Sequence, residues 1–267
     1  MKKISELINL KGRRALVTGA AGFIGQEIAN TIAELGGDLI LVDKPETDYS
    51  LMKSNINNNW NVEVNCMDCN LENEQSRNNL IQEIFDREFQ LDILINNAAF
   101  VGESDLEGWT EDFSKQSIET WRRALEVNLT APFHLSQALT PLLSRNSVGS
   151  IINIASIYGI NAPDYSLYEG TSMGNPAGYA SSKGGLIQLT KWLSTTISPN
   201  IRVNSISPGG VLRNQPEKFL KKYESKTPLA RMATEEDLKG AIAYLSSDLS
   251  SYVTGQNIVV DGGWSIQ

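Results

Sequence analysis

Seven short runs of apolar, mostly β-branched residues recur along the chain, each separated from the next by a longer amphipathic stretch. The runs are Arg14–Thr18, Asp38–Val42, Val62–Cys66, Leu91–Asn96, Ser150–Ala155, Ile201–Ile206 and Gln256–Val260. They are almost continuously apolar, as expected of strands covered on both faces. The stretches with helical periodicity are Phe23–Leu35, Glu74–Arg87, Ile118–Leu143, Ala177–Ile197 and Glu235–Leu245. Thr234 followed by Glu235, Glu236 and Asp237 reads as a helix start, with carboxylates at the positive end of the dipole. Strand–helix alternation implies right-handed crossovers and a mainly parallel sheet with helices on both faces. The expected fold class is therefore α/β, one doubly wound domain over residues 1–267. Asn55–Asn61 is read as a solvated turn.

The first strand runs straight into Thr18-Gly19-Ala20-Ala21-Gly22-Phe23-Ile24-Gly25, and a helix pattern follows at once. Glycines allow a sharp turn and close approach of the backbone to a pyrophosphate, and a helix N-terminus offers free N–H groups and a favourable dipole. A lone glycine pattern is weak, but its place between strand and helix strengthens it. The second strand ends on Asp43, where a carboxylate can accept bonds from ribose hydroxyls and repel a 2′-phosphate. That favours NAD; the neighbouring Lys44 keeps NADP open.

A formal net charge of -8 and a pI near 4.9 argue against nucleic-acid or anionic-membrane binding. No apolar run approaches the roughly 20 residues a bilayer requires, and Met1–Ser5 lacks the apolar core of a signal peptide. A cytoplasmic protein is expected. Cys66 and Cys69, with the single His134, cannot supply a zinc site, so no metal is expected and the cysteines are read as reduced structural thiols. His134 is read as a packing or interface residue.

Further blocks complete a resemblance over nearly the whole chain. They are Asn96-Asn97-Ala98-Ala99, Val127-Asn128-Leu129, Ser156 closing the fifth apolar run, Tyr179-Ala180-Ser181-Ser182-Lys183, Arg202-Val203-Asn204, Pro208-Gly209, and Thr254-Gly255-Gln256 through Gly263. With Thr18–Gly25, they resemble the short-chain dehydrogenases/reductases, which implies a Rossmann fold and hydride transfer between a nicotinamide and a secondary alcohol or ketone. It also implies a catalytic set of Asn128, Ser156, Tyr179 and Lys183. Residues four apart share a helix face, so Lys183 can sit beside Tyr179 and lower its pKa. So tuned, the tyrosine can take a proton from an alcohol or return it to a ketone. Ser156 would hydrogen-bond the reacting oxygen, Lys183 would also hold ribose hydroxyls, and Asn128 would support a water chain from Lys183 to solvent.

The same resemblance implies cofactor contacts from Gly19, Ala21, Gly22, Phe23, Ile24, Asp43, Asp68, Cys69, Asn97, Ala98, Ala99, Tyr179, Lys183, Pro208, Gly209 and Val211. It further implies a homodimer or homotetramer built on the helices after Asn128 and Tyr179. The middle glycine of the turn falls one residue earlier than is commonest in the family. The stretch from Ser156 to Tyr179 is also longer than usual. Ser166 has the more usual spacing to Tyr179, but no strand pattern leads into it, so Ser156 is preferred.

The additional residues between Ser156 and Tyr179 carry Tyr158, Asp164, Tyr165, Tyr168, Glu169 and Asn175, a lining suited to sugars. This stretch resembles a subgroup of the family associated with bacterial surface-sugar and flagellin glycan biosynthesis, implying a small sugar-derived substrate. Substrate loops are expected near 100–117, 157–177 and 209–226, with Trp109 and Phe113 closing a wall. Arg213, Lys218, Lys221 and Lys222 are candidates to meet an anion, or they form a solvated helix face. The alternatives are a 3-oxoacyl-carrier-protein reductase and, in another class, a non-catalytic dinucleotide-binding protein.

Overall fold

The structure is a computed structural model describing residues 1–101, 106–146 and 149–266. Its elements run in the order α1 (Ile4–Leu7), β1 (Arg14–Thr18), α2 (Phe23–Glu34), β2 (Asp38–Asp43), α3 (Ser50–Asn59), β3 (Val64–Asp68), α4 (Glu74–Asp86) and β4 (Ile93–Asn96). There follow α5 (Ile118–Leu125), a π-helical turn (Glu126–Thr130), α6 (Ala131–Leu143), β5 (Gly149–Ile154), α7 (Ala177–Thr196), β6 (Ile201–Pro208), α8 (Glu217–Ser225), α9 (Lys239–Ser246) and β7 (Asn257–Val260).

The seven strands form one sheet in the order β3-β2-β1-β4-β5-β6-β7, and every pairing is parallel. The order reverses between β1 and β4, and open α/β sheets bind ligands beyond the strand ends at that switch. Alternate side chains divide the core. Ala15, Val17, Leu39, Leu41 and Ile95 pack with Ile28, Ile32 and Ile242 on one face. Leu16, Ile40, Val42 and Leu94 pack with Leu80, Leu135 and Leu193 on the other. Strands buried on both sides explain the near-continuous apolar runs in the sequence.

Two sequence expectations need correction. Asn55–Asn61 is not simply a turn: Ser50–Asn59 is helical, anchored by the fully buried Ile56 with Tyr49, Met52 and Trp60 packed beside it. A few tertiary contacts outweigh the weak helix propensity of asparagine. The third strand is Val64–Asp68, two residues later than expected, because its register sets Cys66 opposite Leu41 and Asp68 opposite Asp43.

A third apolar cluster lies apart from the sheet. Ile157, Leu167, Phe219, Tyr223, Met232 and Trp264 pack together with Tyr158, Tyr168 and Met173 around it. It joins the stretch after β5 to α8 and the C-terminal turn.

Candidate active site

The turn after β1 is held by close backbone approach. Gly19 has φ 63°, and a Cβ there would lie 2.7 Å from the Ala98 Cα. Gly25 is tighter still: a Cβ would lie 2.0 Å from the Gly19 carbonyl oxygen. The Thr18 hydroxyl ties this turn to the end of β4 by accepting the Asn97 and Ala98 amide N–H groups, each at 3.1 Å. The Asn97 side chain donates to the carbonyls of Thr18 and Gly19. At the next strand end, the Asp43 carboxylate accepts the amides of Ala21 and Lys44, both at 2.8 Å.

These strand ends open onto a cavity of about 900 Å³. Of the expected cofactor residues, Gly19, Gly22, Phe23, Ile24, Asp43, Cys69, Asn97, Ala98, Ala99, Tyr179, Lys183, Pro208, Gly209 and Val211 line it. Ala21 and Asp68 do not: the Ala21 amide is turned onto Asp43, and Asp68 is exposed at the end of β3. Lys44, Asn70, Glu72, Phe100, Met173, Arg213 and Gln215 line it without having been singled out as cofactor contacts. Lys44 directly follows β2 and Asn70 lies two residues past β3, and that position is the signal that points to them.

At the floor lie Ser156, Tyr179 and Lys183. Ser156 is 7% exposed, and its hydroxyl accepts the Tyr158 amide at 3.2 Å. Lys183, 2% exposed, donates to the Ile154 carbonyl at 2.7 Å, and burial lowers its pKa to about 8. Its Nζ lies 5.8 Å from the Tyr179 ring centroid.

The expected lowering of the tyrosine pKa is not found. Burial pushes the Tyr179 phenol up, and the Ser156 hydroxyl opposes that shift. The Lys183 ammonium is directed to a carbonyl instead of the phenol.

Asn128 is fully buried in the π-helical turn and does not line the cavity. Its Oδ1 accepts the Phe100 amide at 2.6 Å, and its Nδ2 donates to the Phe100 carbonyl and the Ser182 hydroxyl. The side chain is thus a positioning residue, joining the segment after β4 to α7 one residue before Lys183. π-Bulges are frequent at functional sites. Ser166 lies outside the cavity, exposed, with its hydroxyl accepting from Lys226.

The stretch between Ser156 and Tyr179 does not line the cavity with the polar and aromatic residues expected of it: of residues 157–178 only Met173 does, and Tyr158, Tyr168 and Asn175 instead form a polar group behind the tyrosine. The Tyr158 and Tyr168 hydroxyls are hydrogen-bonded at 2.6 Å. Burial is the main cause that pushes both phenols up, so each keeps its proton at neutral pH. Asn175, 6% exposed, acts on both phenols, yet neither its Oδ1 nor its Nδ2 has a partner of normal hydrogen-bond geometry. Tyr168 packs on Phe219 of α8, and Phe219 stacks on Tyr223. The Tyr223 hydroxyl accepts the Gly210 amide at 2.6 Å, and burial pushes it up to about 12. Lys226 pairs with Asp164, and Lys222 pairs with Glu169.

The expected wall from 100–117 is not formed by its aromatic residues. Trp109 is buried and Phe113 is exposed, and both border a separate cavity of about 330 Å³ with Trp121 and Gly178. Phe100 and Val101 do line the main cavity, and residues 102–105 lie outside the described residues. Cys66 and Cys69 are free thiols that burial pushes up, which disfavours the reactive thiolate. His134 accepts the Arg77 Nε at 3.2 Å, a packing role.

A parallel sheet with its switch point over a glycine turn, and a tyrosine and lysine one helical turn apart beside a serine, defines the class of nicotinamide-dependent oxidoreductases. Comparison with known proteins agrees. The family described as Enoyl-(Acyl carrier protein) reductase matches residues 19–265, and the chain belongs to the short-chain dehydrogenase/reductase family. It is 32% identical over 259 residues to Post-translational flagellin modification protein A of Campylobacter coli, covering 96% of this chain and 100% of that one. It is 34% identical over 265 residues to the 3-oxoacyl-[acyl-carrier-protein] reductase FabG of Rickettsia felis, covering 96% and 98%. Among solved structures, a short-chain dehydrogenase from Leptospira borgpetersenii with bound NAD+ superposes with a TM-score of 0.83 at 33% identity, covering 99% of this chain and 96% of that one.

Proposed function

We propose that the protein transfers hydride between NAD and a secondary alcohol or ketone of a sugar-derived molecule, in surface-glycan biosynthesis. The observation that carries the reading is the convergence of Ser156, Tyr179 and Lys183 at the floor of one cavity whose rim is the glycine turn. The cavity suits a dinucleotide. The Gly22 N-cap leaves the first amides of α2 without a side-chain cap, and the Asp43 carboxylate stands at the end of β2, where a ribose diol is received. Bound NAD supplies the hydride acceptor or donor.

The chain's own groups supply the proton chemistry. The Tyr179 phenol takes the alcohol proton in oxidation and returns it in reduction. Ser156 donates a hydrogen bond to the reacting oxygen and stabilises its developing charge. Lys183, desolvated and lowered to about 8, carries a positive charge at neutral pH. Released from the Ile154 carbonyl, it favours the phenolate and holds ribose hydroxyls. Asn128 fixes the helix that carries both.

Tyr158, Tyr168 and Asn175 support a polyhydroxylated substrate. The Tyr158 and Tyr168 hydroxyls satisfy each other, but the Asn175 amide has no regular partner. A substrate hydroxyl reaching behind Tyr179 satisfies it, whereas an acyl chain leaves it unpaired at a cost. The flagellin-modification relative supports the same substrate class. The 3-oxoacyl-carrier-protein reductase reading is the second one, favoured by the FabG relative. Exposed Ile118, Phe133 and Trp192 on α5, α6 and α7 support a homodimer or homotetramer. Among the described residues no helix is long and apolar enough to cross a membrane, and a cytoplasmic location is part of the proposal.

The test is nicotinamide absorbance with NAD and NADP against sugar phosphates, nucleotide sugars and acetoacetyl thioesters. Turnover of sugars with NAD is expected. Turnover restricted to the thioester would replace this reading with the second.

A further inference from the structure

Of the four cations after β6 that the sequence offers to an anion, three stand away from the cleft. Lys221 pairs with Glu217 at 2.6 Å, Lys222 with Glu169 at 3.3 Å, and Lys218 lies against Gly170. Arg213 is the exception, since it lines the cavity. Its guanidinium carbon stands 4.3 Å from the centroid of Phe23, the first residue of α2. A fixed positive charge is thereby set beside a helix N-terminus that has no side-chain cap, and the two favour the same kind of ligand.

The backbone beneath Arg213 is braced. Val211 bridges Ala233, the Leu212 amide donates to the Ala233 carbonyl at 2.8 Å, and the Arg213 amide donates to Gln215 Oε1 at 2.6 Å. The side chain itself is lightly held. Its polar contacts, to the Leu212 carbonyl and to Glu235, both fall on Nη1. Nη2 and Nε donate no hydrogen bond among the described residues. The Glu235 pair is partly exposed on both sides, and such pairs contribute little, so a better anion displaces the carboxylate readily. A guanidinium fork is suited to phosphoryl oxygens.

We propose that Arg213 binds a phosphoryl group at the mouth of the cleft, opposite the first turn of α2, and that Glu235 occupies the guanidinium until that group arrives. The inference rests on the dinucleotide reading of the cleft. The phosphoryl group belongs either to the dinucleotide or to a phosphorylated substrate, and titration separates the two sources.

Isothermal titration of the full chain with NAD+, with adenosine, and with glucose 6-phosphate on NAD+-saturated protein covers both sources, with Arg213→Met, Arg213→Lys and Glu235→Gln as variants. If the dinucleotide is the source, Arg213→Met weakens NAD+ roughly tenfold and leaves adenosine unchanged. If the substrate is the source, it leaves NAD+ unchanged and removes glucose 6-phosphate binding. In either case Arg213→Lys recovers part of the loss, and Glu235→Gln tightens the affected ligand by a few fold. The proposal is overturned if Arg213→Met binds every ligand like the wild type, or loses adenosine in step with NAD+. Failure of the wild type itself to bind NAD+ would instead overturn the reading of the cleft.

Discussion

The two walls of the cleft are built in different ways. On the side of β1, β2 and β4 the wall is mostly backbone: Gly19 and Gly25 allow the chain to pass within contact of itself, while Thr18 and Asn97 lock the strand ends together. On the side of β5 and β6 the wall is mostly side chains, with Ser156, Met173, Tyr179, Lys183, Arg213 and Gln215 brought together from separated segments and Tyr158, Tyr168, Asn175 and Tyr223 packed behind it. A backbone wall tolerates almost no substitution and suits a ligand that never changes. A side-chain wall can be exchanged residue by residue without disturbing the sheet. Selectivity for substrate is therefore expected to reside in the second wall and dinucleotide affinity in the first.

The largest effect should come from the floor that both walls share. Tyr179→Phe is expected to lower turnover on the order of 10²–10⁴-fold by removing the proton donor and acceptor, while NAD+ affinity in titration stays within a few fold. Turnover equal to the wild type would remove the tyrosine from the chemistry and leave the comparison of walls without a reaction to serve.

Lys183 gives the next effect. Its pKa in the fold is about 8, against 10.5 when unperturbed. Below pH 8 both folded and unfolded states hold the proton, so the cost of burying the charge is fully present. Between pH 8 and 10.5 the unfolded chain binds the proton and the folded chain does not, so this group makes stability rise with pH. The total is about 3 kcal/mol. Tyr179 and the two cysteines, raised in the fold, act oppositely above pH 9 to 10. The readout is therefore the difference between wild type and Lys183→Met in urea unfolding across pH 7 to 10. A difference that does not change with pH would show that the ammonium is not desolvated.

The two walls were also unequally legible in the sequence. The backbone wall is written in local spacing, since a strand, three glycines and a helix start lie within one short segment, and Asp43 falls at a strand end visible from its apolar run. Tyr179 and Lys183 are likewise read from a single helical turn. What local patterns do not carry is the direction of side chains. Asn128 lies in a turn of the expected helix, but its amide is spent on Phe100 and Ser182 instead of the cavity. Trp109 lies in a loop expected to face substrate, yet its indole donates inward to the Val101 carbonyl at 2.6 Å. The helix at Ser50–Asn59 has no periodic signature in the sequence, because one buried isoleucine and its neighbours decide it. The contact of Arg213 with Phe23 joins segments 190 residues apart and has no local signature.

Gly25→Ala tests the backbone wall alone. Its Cβ and the Gly19 oxygen cannot both keep their places at 2.0 Å, so the turn must open. A loss of about 1–3 kcal/mol in unfolding free energy is expected, together with NAD+ binding weakened at least roughly tenfold. Wild-type affinity in this variant would mean that close approach at the turn is not what holds the dinucleotide.

Asn175→Ala tests the polar group behind the side-chain wall and should give the smallest effect, about 1–1.5 kcal/mol, or roughly tenfold in kcat/KM. The amide is buried and lacks a regular partner, so removing it does not break an established bond, and the melting temperature should change little. The loss should appear with substrates that carry a hydroxyl for the amide to meet and vanish with the matching deoxy compound, because the deleted side chain then has nothing to recognise. NAD+ affinity should be untouched, in contrast to Gly25→Ala. An equal loss on both substrates would make Asn175 a packing residue, and selectivity would then reside in the side chains that line the cavity, such as Met173 and Gln215.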